Sequence, residues 1–411
     1  HTLEWGPQGF LDNAPDTIEL VRRIGLGNDT VTADETSADR FIVRDGRLRR
    51  VPTSPIAFLT SDVLPLGGRL RVLGEPFAPK PPEGDETVFD FARRRIGATA
   101  ADILVDAMVT GVFAGNSRQL SLAATFPRMA AMEAEHGSLT RALVARMRQA
   151  RREGRRGGGP AGPGGTLTSL AGGMGRLPAA IADRLGDRLR LSSPVETMES
   201  RGSAYDLQGP RAGVTAKAVL LTTPAGDTAR LLKPVAPAAV DPLLEMRTAP
   251  IAVVMTSYGD ESAFGRPLRG FGFLVPGCEP TPILGSLFCH AIFPGQAPPG
   301  RVFLRTMVGG ARAPASVELG DDELVAQVRR ALADVLGTDP EPDRTWIVRW
   351  SRGISQNTAG HLRRVERIEG AAREAGIEVA GSTLRGVSVN DCIRQARLAA
   401  RRVAERLARP Q

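Results

Sequence analysis

Hydrophobic positions in this chain change period several times, and each change marks an expected element. Between Glu19 and Gly25, Leu20, Val21 and Ile24 recur at helical spacing and stop at Gly25 and Gly27, which predicts a short helix with a glycine stop. The segment Phe41-Ile42-Val43-Arg44-Asp45-Gly46-Arg47-Leu48 predicts a hairpin, because Asp-Gly favours a two-residue turn. Residues 53–150 read as a helical layer. Gly97 closes one segment, Thr99-Ala100-Ala101-Asp102 predicts a capping box, and Ile103, Leu104, Met108 and Val112 follow at roughly helical spacing. Arginines from Arg146 onward lead into a Gly/Pro-rich run ending at Gly165, a composition that predicts a mobile loop over 146–165.

Strands and helices alternate beyond that loop. A helix is expected over Leu177–Leu185, with strands at Leu189–Leu191 and Val195. The apolar strand Ala218–Thr223 stops at Pro224, as a buried parallel strand does when its carboxyl end faces a ligand. Ile251–Thr256, Gly272–Val275, Ile283–Phe288 and Val302–Val308 predict an antiparallel sheet, followed by a helix over Asp322–Leu336. The chain ends in a strand at Ile377–Val379, a glycine turn through Gly381 and Gly386, and a long helix from about Asn390.

Length changes this picture first: 411 residues exceed one core, so two or three domains are expected. The formal charge of +8 suggests nucleic acid, but almost all of it is arginine, and only 5% of residues are aromatic. Base-stacking surfaces have little material, so nucleic acid is excluded as a partner. Cys278, Cys289 and Cys392 are too few and too scattered for a disulfide framework or a zinc site. Cys289 and His290 read as strand neighbours on opposite faces with unrelated packing roles. No apolar run approaches the roughly 18 residues that cross a bilayer, so a cytoplasmic protein is expected, at most peripheral on the inner face of the cell membrane. The chain opens at His1 without Met and enters the strand-like Thr2-Leu3-Glu4-Trp5, so an upstream segment is expected.

Candidate chemistry is sparse. Gly157, Gly159 and Gly162 form a GxGxxG by spelling alone, since arginines precede them and prolines interrupt them where a strand and a helix are required. His136 and His361 lie beside helix-like segments, where capping or a core hydrogen bond is the usual role, and no triad or metal-ligand cluster is present. A bound cofactor should therefore carry any chemistry. The turn at Gly381 and Gly386 before the last helix suits an electron-rich carbonyl or an anion, and equally an ordinary capped connection.

Several stretches in order resemble the protoporphyrinogen oxidases of the flavin-containing amine oxidase superfamily. They are Gly6-Pro7-Gln8-Gly9-Phe10, Phe91–Gly97, Gly111–Gly115, Thr125-Phe126-Pro127, Gly172-Gly173-Met174, Gly270–Pro276, Met307–Gly310 and Gly386-Val387-Ser388-Val389-Asn390-Asp391-Cys392-Ile393. The resemblance implies an α/β (α+β) fold with three domains. A p-hydroxybenzoate-hydroxylase-type FAD-binding domain would take 1–20, 166–228 and 350–411, and a mixed-sheet substrate domain 21–52 and 229–349. A helical membrane-associating domain would take 53–165.

It implies FAD contacts at Gly6, Pro7, Gln8, Gly9, Val195, Thr223, Pro224, Trp350, Gly381, Ser382, Val387, Ser388 and Val389. Ala142, Phe271, Leu274, Leu287 and Met307 would face a porphyrinogen, with no catalytic side chain because the flavin takes the hydride. O2 as acceptor, contact with a membrane surface and a homodimer belong to the same implication. The coproporphyrinogen III oxidases share the resemblance, and Asn390 favours the protoporphyrinogen group. A non-catalytic porphyrin-binding homologue stays open beside both.

Ala142 stands where relatives carry Gly, and Ile354-Ser355-Gln356-Asn357-Thr358-Ala359-Gly360-His361 lacks the Pro and Tyr of the related motif. The glycine-rich strand-turn-helix and the acidic ribose ligand that precede Gly6 in the family are not within these residues. FAD binding by this stretch alone is expected to be weak.

Overall fold

The computed structural model describes residues 1–152, 165–211 and 213–408. The chain divides into two compact units. One combines His1–Asn13, Thr30–Met174 and Thr248–Ile354, and the other combines Ala14–Asp29, Gly175–Arg247 and Ser355–Gln411. This differs from the three-domain expectation, because the helical layer does not stand alone. Ile42 of the sheet packs with Ala100, Ile103 and Ala107 of the helices and with Val63 and Leu64 of the bend between two others, and Leu274 joins them.

The first unit is built on a seven-stranded mixed sheet. Its strands are β1 (Arg40–Arg44), β2 (Arg47–Arg50), β3 (Arg247–Tyr258), β4 (Gly272–Leu274), β5 (Ile283–Phe288), β6 (Val302–Gly309) and β7 (Arg344–Gln356). Their spatial order is β7-β3-β6-β5-β4-β1-β2. The expected hairpin is β1–β2, and Asp45 (φ 52) and Gly46 (φ 69) take the left-handed conformations its two-residue turn requires. Strands β3, β6, β5 and β4 pair antiparallel as expected, whereas β4 pairs parallel with β1.

One face of this sheet carries Val254, Phe273, Leu304 and Val308 against the helix Asp321–Leu336. That helix presents Leu324, Val328, Ala331, Leu332 and Val335 at helical spacing, starts on three acidic residues that suit its N-terminal dipole, and ends at Gly337 (φ 81).

The helical layer departs from expectation at two points. The capping box at Thr99-Ala100-Ala101-Asp102 does not form: helix begins at Ala98 after Gly97 (φ 90), with no side-chain cap. The helix Leu139–Arg152 covers the first residues of the expected 146–165 loop, most of which lies outside the described residues. Its N-terminus is capped from a distance: Glu75 accepts from Ser138 Oγ (2.7 Å), Leu139 N (2.9 Å) and Thr140 N (3.0 Å). Glu75 also pairs with Arg95 at 2.8 Å, Arg95 meets Glu133, and Arg94 joins Glu133 to Glu86 at 2.7 Å each.

In the second unit Val219–Leu221 and Ile377–Val379 are parallel neighbours, as the apolar run before Pro224 implied. The helices Ala225–Leu232 and His361–Glu374 pack on them through Leu231, Leu232, Val365 and Ile368. The helix Pro15–Arg23 starts earlier than expected, at a proline well suited to a first turn. It is tied to the long helix Val389–Ala408 by Arg397, which bonds Asp16 and Glu19. No strand forms at Leu189–Leu191 or at Val195. Leu191 is exposed, Ser192 has φ 51, and Pro194 cannot donate to a ladder, so the strand begins at Thr197.

Candidate active site

Strand alternation gathers most of the expected substrate residues on one face of the seven-stranded sheet, opposite the helix Asp321–Leu336. Two rungs run across it: Leu274, Gly285, Met307 and Val253, then Gly272, Leu287, Arg305 and Met255. Leu274, Leu287 and Met307 keep partial exposure among buried neighbours, as residues that touch a ligand do. Both glycines are required by close approach: a Cβ at Gly285 would lie 2.4 Å from the Phe273 carbonyl oxygen, and one at Gly272 would lie 2.1 Å from that of Ser286.

Phe271 stands just outside β4, half-buried, with its N–H donated to Asp39 O. The Arg40 guanidinium lies over its ring at 5.2 Å, and Arg40 pairs with Gly272 in the ladder. Ala142 is not on this face: it is fully buried on the helix Leu139–Arg152, which packs against Pro127–His136 and the turn Glu75–Phe77.

The first segment of the chain is fixed in the same unit. Gln8 is buried and donates to Gln296 Oε1 (2.6 Å), while Gly6 and Pro7 are exposed. A Cβ at Gly9 would sit 2.4 Å from the Thr168 carbonyl oxygen, so only glycine lets Phe10–Leu11 pair with Leu167–Leu170. Trp350 is exposed on β7 and donates its indole N–H to the Trp5 carbonyl (2.9 Å), which places it beside the Gly6 turn. Arg305 and Arg40 were not among the expected site residues. The signal for Arg305 was its parity with Phe303 and Met307 in an otherwise apolar strand.

The remaining expected cofactor residues belong to the second unit. Val379 pairs with Leu221, and Ala380 N donates to Leu221 O (2.9 Å), so Thr223-Pro224 and Gly381-Ser382 leave the carboxyl ends of adjacent parallel strands side by side. Ligands of α/β sheets bind at that edge. Thr223, Pro224 and Ser382 are exposed, and Gly381 has φ 139. Ser388 caps the last helix, accepting from Asp391 N (3.1 Å) and donating to Asp391 Oδ2 (2.6 Å). Gly386 (φ 83) is needed there because a Cβ would meet the Asp391 side chain at 2.6 Å. Val387 and Val389 flank Ser388 and are half-buried. Val195 is half-buried, and its carbonyl accepts from Arg230 Nη2 (3.2 Å).

Cys289, His290 and His361 are held in packing roles. Cys289 and His290 lie in the short helix Cys289–Ile292 rather than a strand. Burial pushes the Cys289 thiol up to about 12, and burial also holds His290 below its ordinary value despite its backbone contacts at Phe303 and Leu268. His361 is a core residue whose Nε2 bonds to Leu384 O (2.8 Å).

The second unit has a backbone edge of the kind at which α/β sheets bind ligands, the first carries a largely apolar sheet face, and comparison with known proteins gives the class. The flavin containing amine oxidoreductase family matches residues 1–404, and the chain belongs to this family of FAD-dependent oxidoreductases. It is 30% identical to protoporphyrinogen oxidase 1, chloroplastic, of Arabidopsis thaliana over 95% of this chain and 76% of that protein. It is 26% identical to coproporphyrinogen III oxidase of Bacillus subtilis over 97% and 86% of the two chains. Among solved structures, cyclohexylamine oxidase from Brevibacterium oxydans has a TM-score of 0.69 at 16% identity, covering 99% of this chain and 88% of that one, and shares the fold.

Proposed function

We propose that the protein oxidises porphyrinogens, taking protoporphyrinogen IX to protoporphyrin IX in three two-electron steps, with three O2 reduced to three H2O2. The observation that carries this reading is the sheet face on which Leu274, Leu287 and Met307 remain half-buried, its two rungs carrying no carboxylate, histidine or cysteine. A large, flat, apolar substrate needs shape from such a face more than proton transfer. The names of the relatives support the same substrate class.

Bound FAD would supply the two-electron acceptor. The candidate residues for holding it are, taken unit by unit, Gly6–Gly9 and Trp350 of the first, and Thr223, Pro224, Gly381, Ser382 and Val387–Val389 of the second. The chain's own task is orientation: the leucines and Met307 seat the macrocycle and exclude water. Arg40, over Phe271 at the end of the face, offers a cation to a propionate.

Coproporphyrinogen III is the second reading, with the Bacillus subtilis relative in its favour. Asn390 separates the two less sharply than its sequence context implies, because its Oδ1 accepts from Thr17 Oγ1 (2.7 Å) and so ties two helices together. The test is porphyrin fluorescence after adding each porphyrinogen to FAD-loaded protein in air. Faster protoporphyrin formation is expected; faster coproporphyrin formation reverses the order, and no fluorescence from either rejects the reading.

The helical layer also presents apolar residues to solvent. Leu66, Leu70 and Leu73 form one stripe of the helix Leu66–Leu73, beside the exposed Ile56 and Phe77. We read this patch as the surface that rests on a lipid bilayer. Among the described residues no helix is long and apolar enough to cross one.

A further inference from the structure

We propose that Arg305 is a fixed, buried cation whose charge acts through the Gly6–Gln8 turn on the bound flavin and stabilises its reduced form. Arg305 sits in the middle of the apolar face, between Leu287 and Met255, and is 6% exposed. Its Nη2 donates to the Gly6 carbonyl (2.6 Å), its Nη1 reaches Gln8 Oε1 (3.5 Å), and its Nε–H has no partner.

Among the described residues no carboxylate lies within 4.0 Å of it. Glu4 is a carboxylate that acts on it at longer range. That carboxyl is itself buried, which raises it above its ordinary value even though it accepts from Met174 N. Cys289, also nearby, is held as the neutral thiol by its burial. A buried guanidinium so poorly matched by negative charge is costly for the folded protein alone.

The cost has a use if a negative charge arrives next to it. Transfer of a hydride brings one proton and two electrons to FAD, so the cofactor gains one negative charge when it is reduced. Gly6 and Pro7 are exposed, and the Gly6 carbonyl is the atom that Arg305 contacts, so the cation is held directly on the turn assigned to the flavin. This rests on the reading that Gly6–Gly9 lines the FAD, and not on which porphyrinogen is oxidised.

The experiment is an anaerobic dithionite titration of the FAD-loaded protein against a reference dye, with no porphyrinogen present. Arg305→Met should lower the preference for reduced over oxidised FAD at least tenfold, about 30 mV for a two-electron couple. Arg305→Lys, which keeps the charge, should stay within about threefold of the parent protein. A purely structural role would weaken both redox forms of FAD equally, and an unchanged potential in Arg305→Met overturns the proposal. Should that variant fail to retain FAD, Gln8→Glu opposes the same charge with the arginine in place. A potential unmoved there overturns it too. Full potential effects in a protein that oxidises no porphyrinogen would leave this assignment standing and reject the substrate reading instead.

Discussion

Leu274 holds its place because Gly111 has no side chain. A Cβ on Gly111, in the helix Asp106–Phe113, would lie 2.5 Å from Leu274 Cδ2 and 3.0 Å from Cδ1. The obstructing atoms are the end of a flexible side chain, so Gly111→Ala should fold at a cost of about 1 kcal/mol while turning Leu274 out of its rotamer. Steady-state kinetics should show KM for the porphyrinogen rising by about threefold to tenfold with kcat within about twofold. An unchanged KM would remove Leu274 from the substrate contact. Gly285 is the opposite case, because its Cβ would strike the backbone of β4 rather than a movable methyl group.

Among the elements, the helical layer depends on Glu75. Its burial favours the neutral form, but hydrogen bonds from Ser138, Thr140 and Leu139 outweigh that and hold the carboxyl below its ordinary value of 4.5. A carboxyl depressed on folding contributes stability that is fully present above its unfolded value and is lost as pH falls through its folded one. Thermal unfolding midpoints should therefore drop as pH goes below about 4.5, and Glu75→Gln should lower the midpoint at neutral pH and flatten that slope. A parallel decline in parent and variant would show that other carboxylates govern acid unfolding.

The same cap explains what could be read locally and what could not. The hairpin at Asp45-Gly46, the strand Val302–Gly309 and the helix ending at Gly337 announce themselves within a few residues. The capping acid at the start of Leu139–Arg152 lies more than sixty residues upstream and leaves no local signal, whereas the box spelled at Thr99 is not used. Leu189 and Leu191 imitated a strand for a related reason: two leucines have the right parity, but no neighbouring strand takes them up. On the candidate face, Leu274, Leu287 and Met307 came from the resemblance, and the ladder register sets them on one side of the sheet. Arg305 carried a local signal, its parity with Phe303 and Met307, but its place between Leu287 and Met255 follows only from the register.

At the scale of the whole molecule, the charge of +8 and the apolar stripe invite the same surface. On the proposed reading, anionic lipid would attract the first and shelter the second. The protein should sediment with vesicles of mixed neutral and anionic lipid, and the paired change Leu70→Glu with Phe77→Glu should release most of it without lowering the unfolding midpoint. Equal sedimentation of parent and variant would assign the stripe to something other than lipid.

The parallel pairing of β1 with β4 has a consequence for biosynthesis. Arg40 meets Gly272, so the hairpin that carries Arg40 emerges from the ribosome more than two hundred residues before its partner exists. At ordinary elongation rates that is an interval on the order of 10–50 s. During it, one edge of the hairpin has open backbone groups, and charge is what guards it. Arg40, Arg44, Arg47, Arg49 and Arg50 repel a second nascent copy and discourage premature strand pairing.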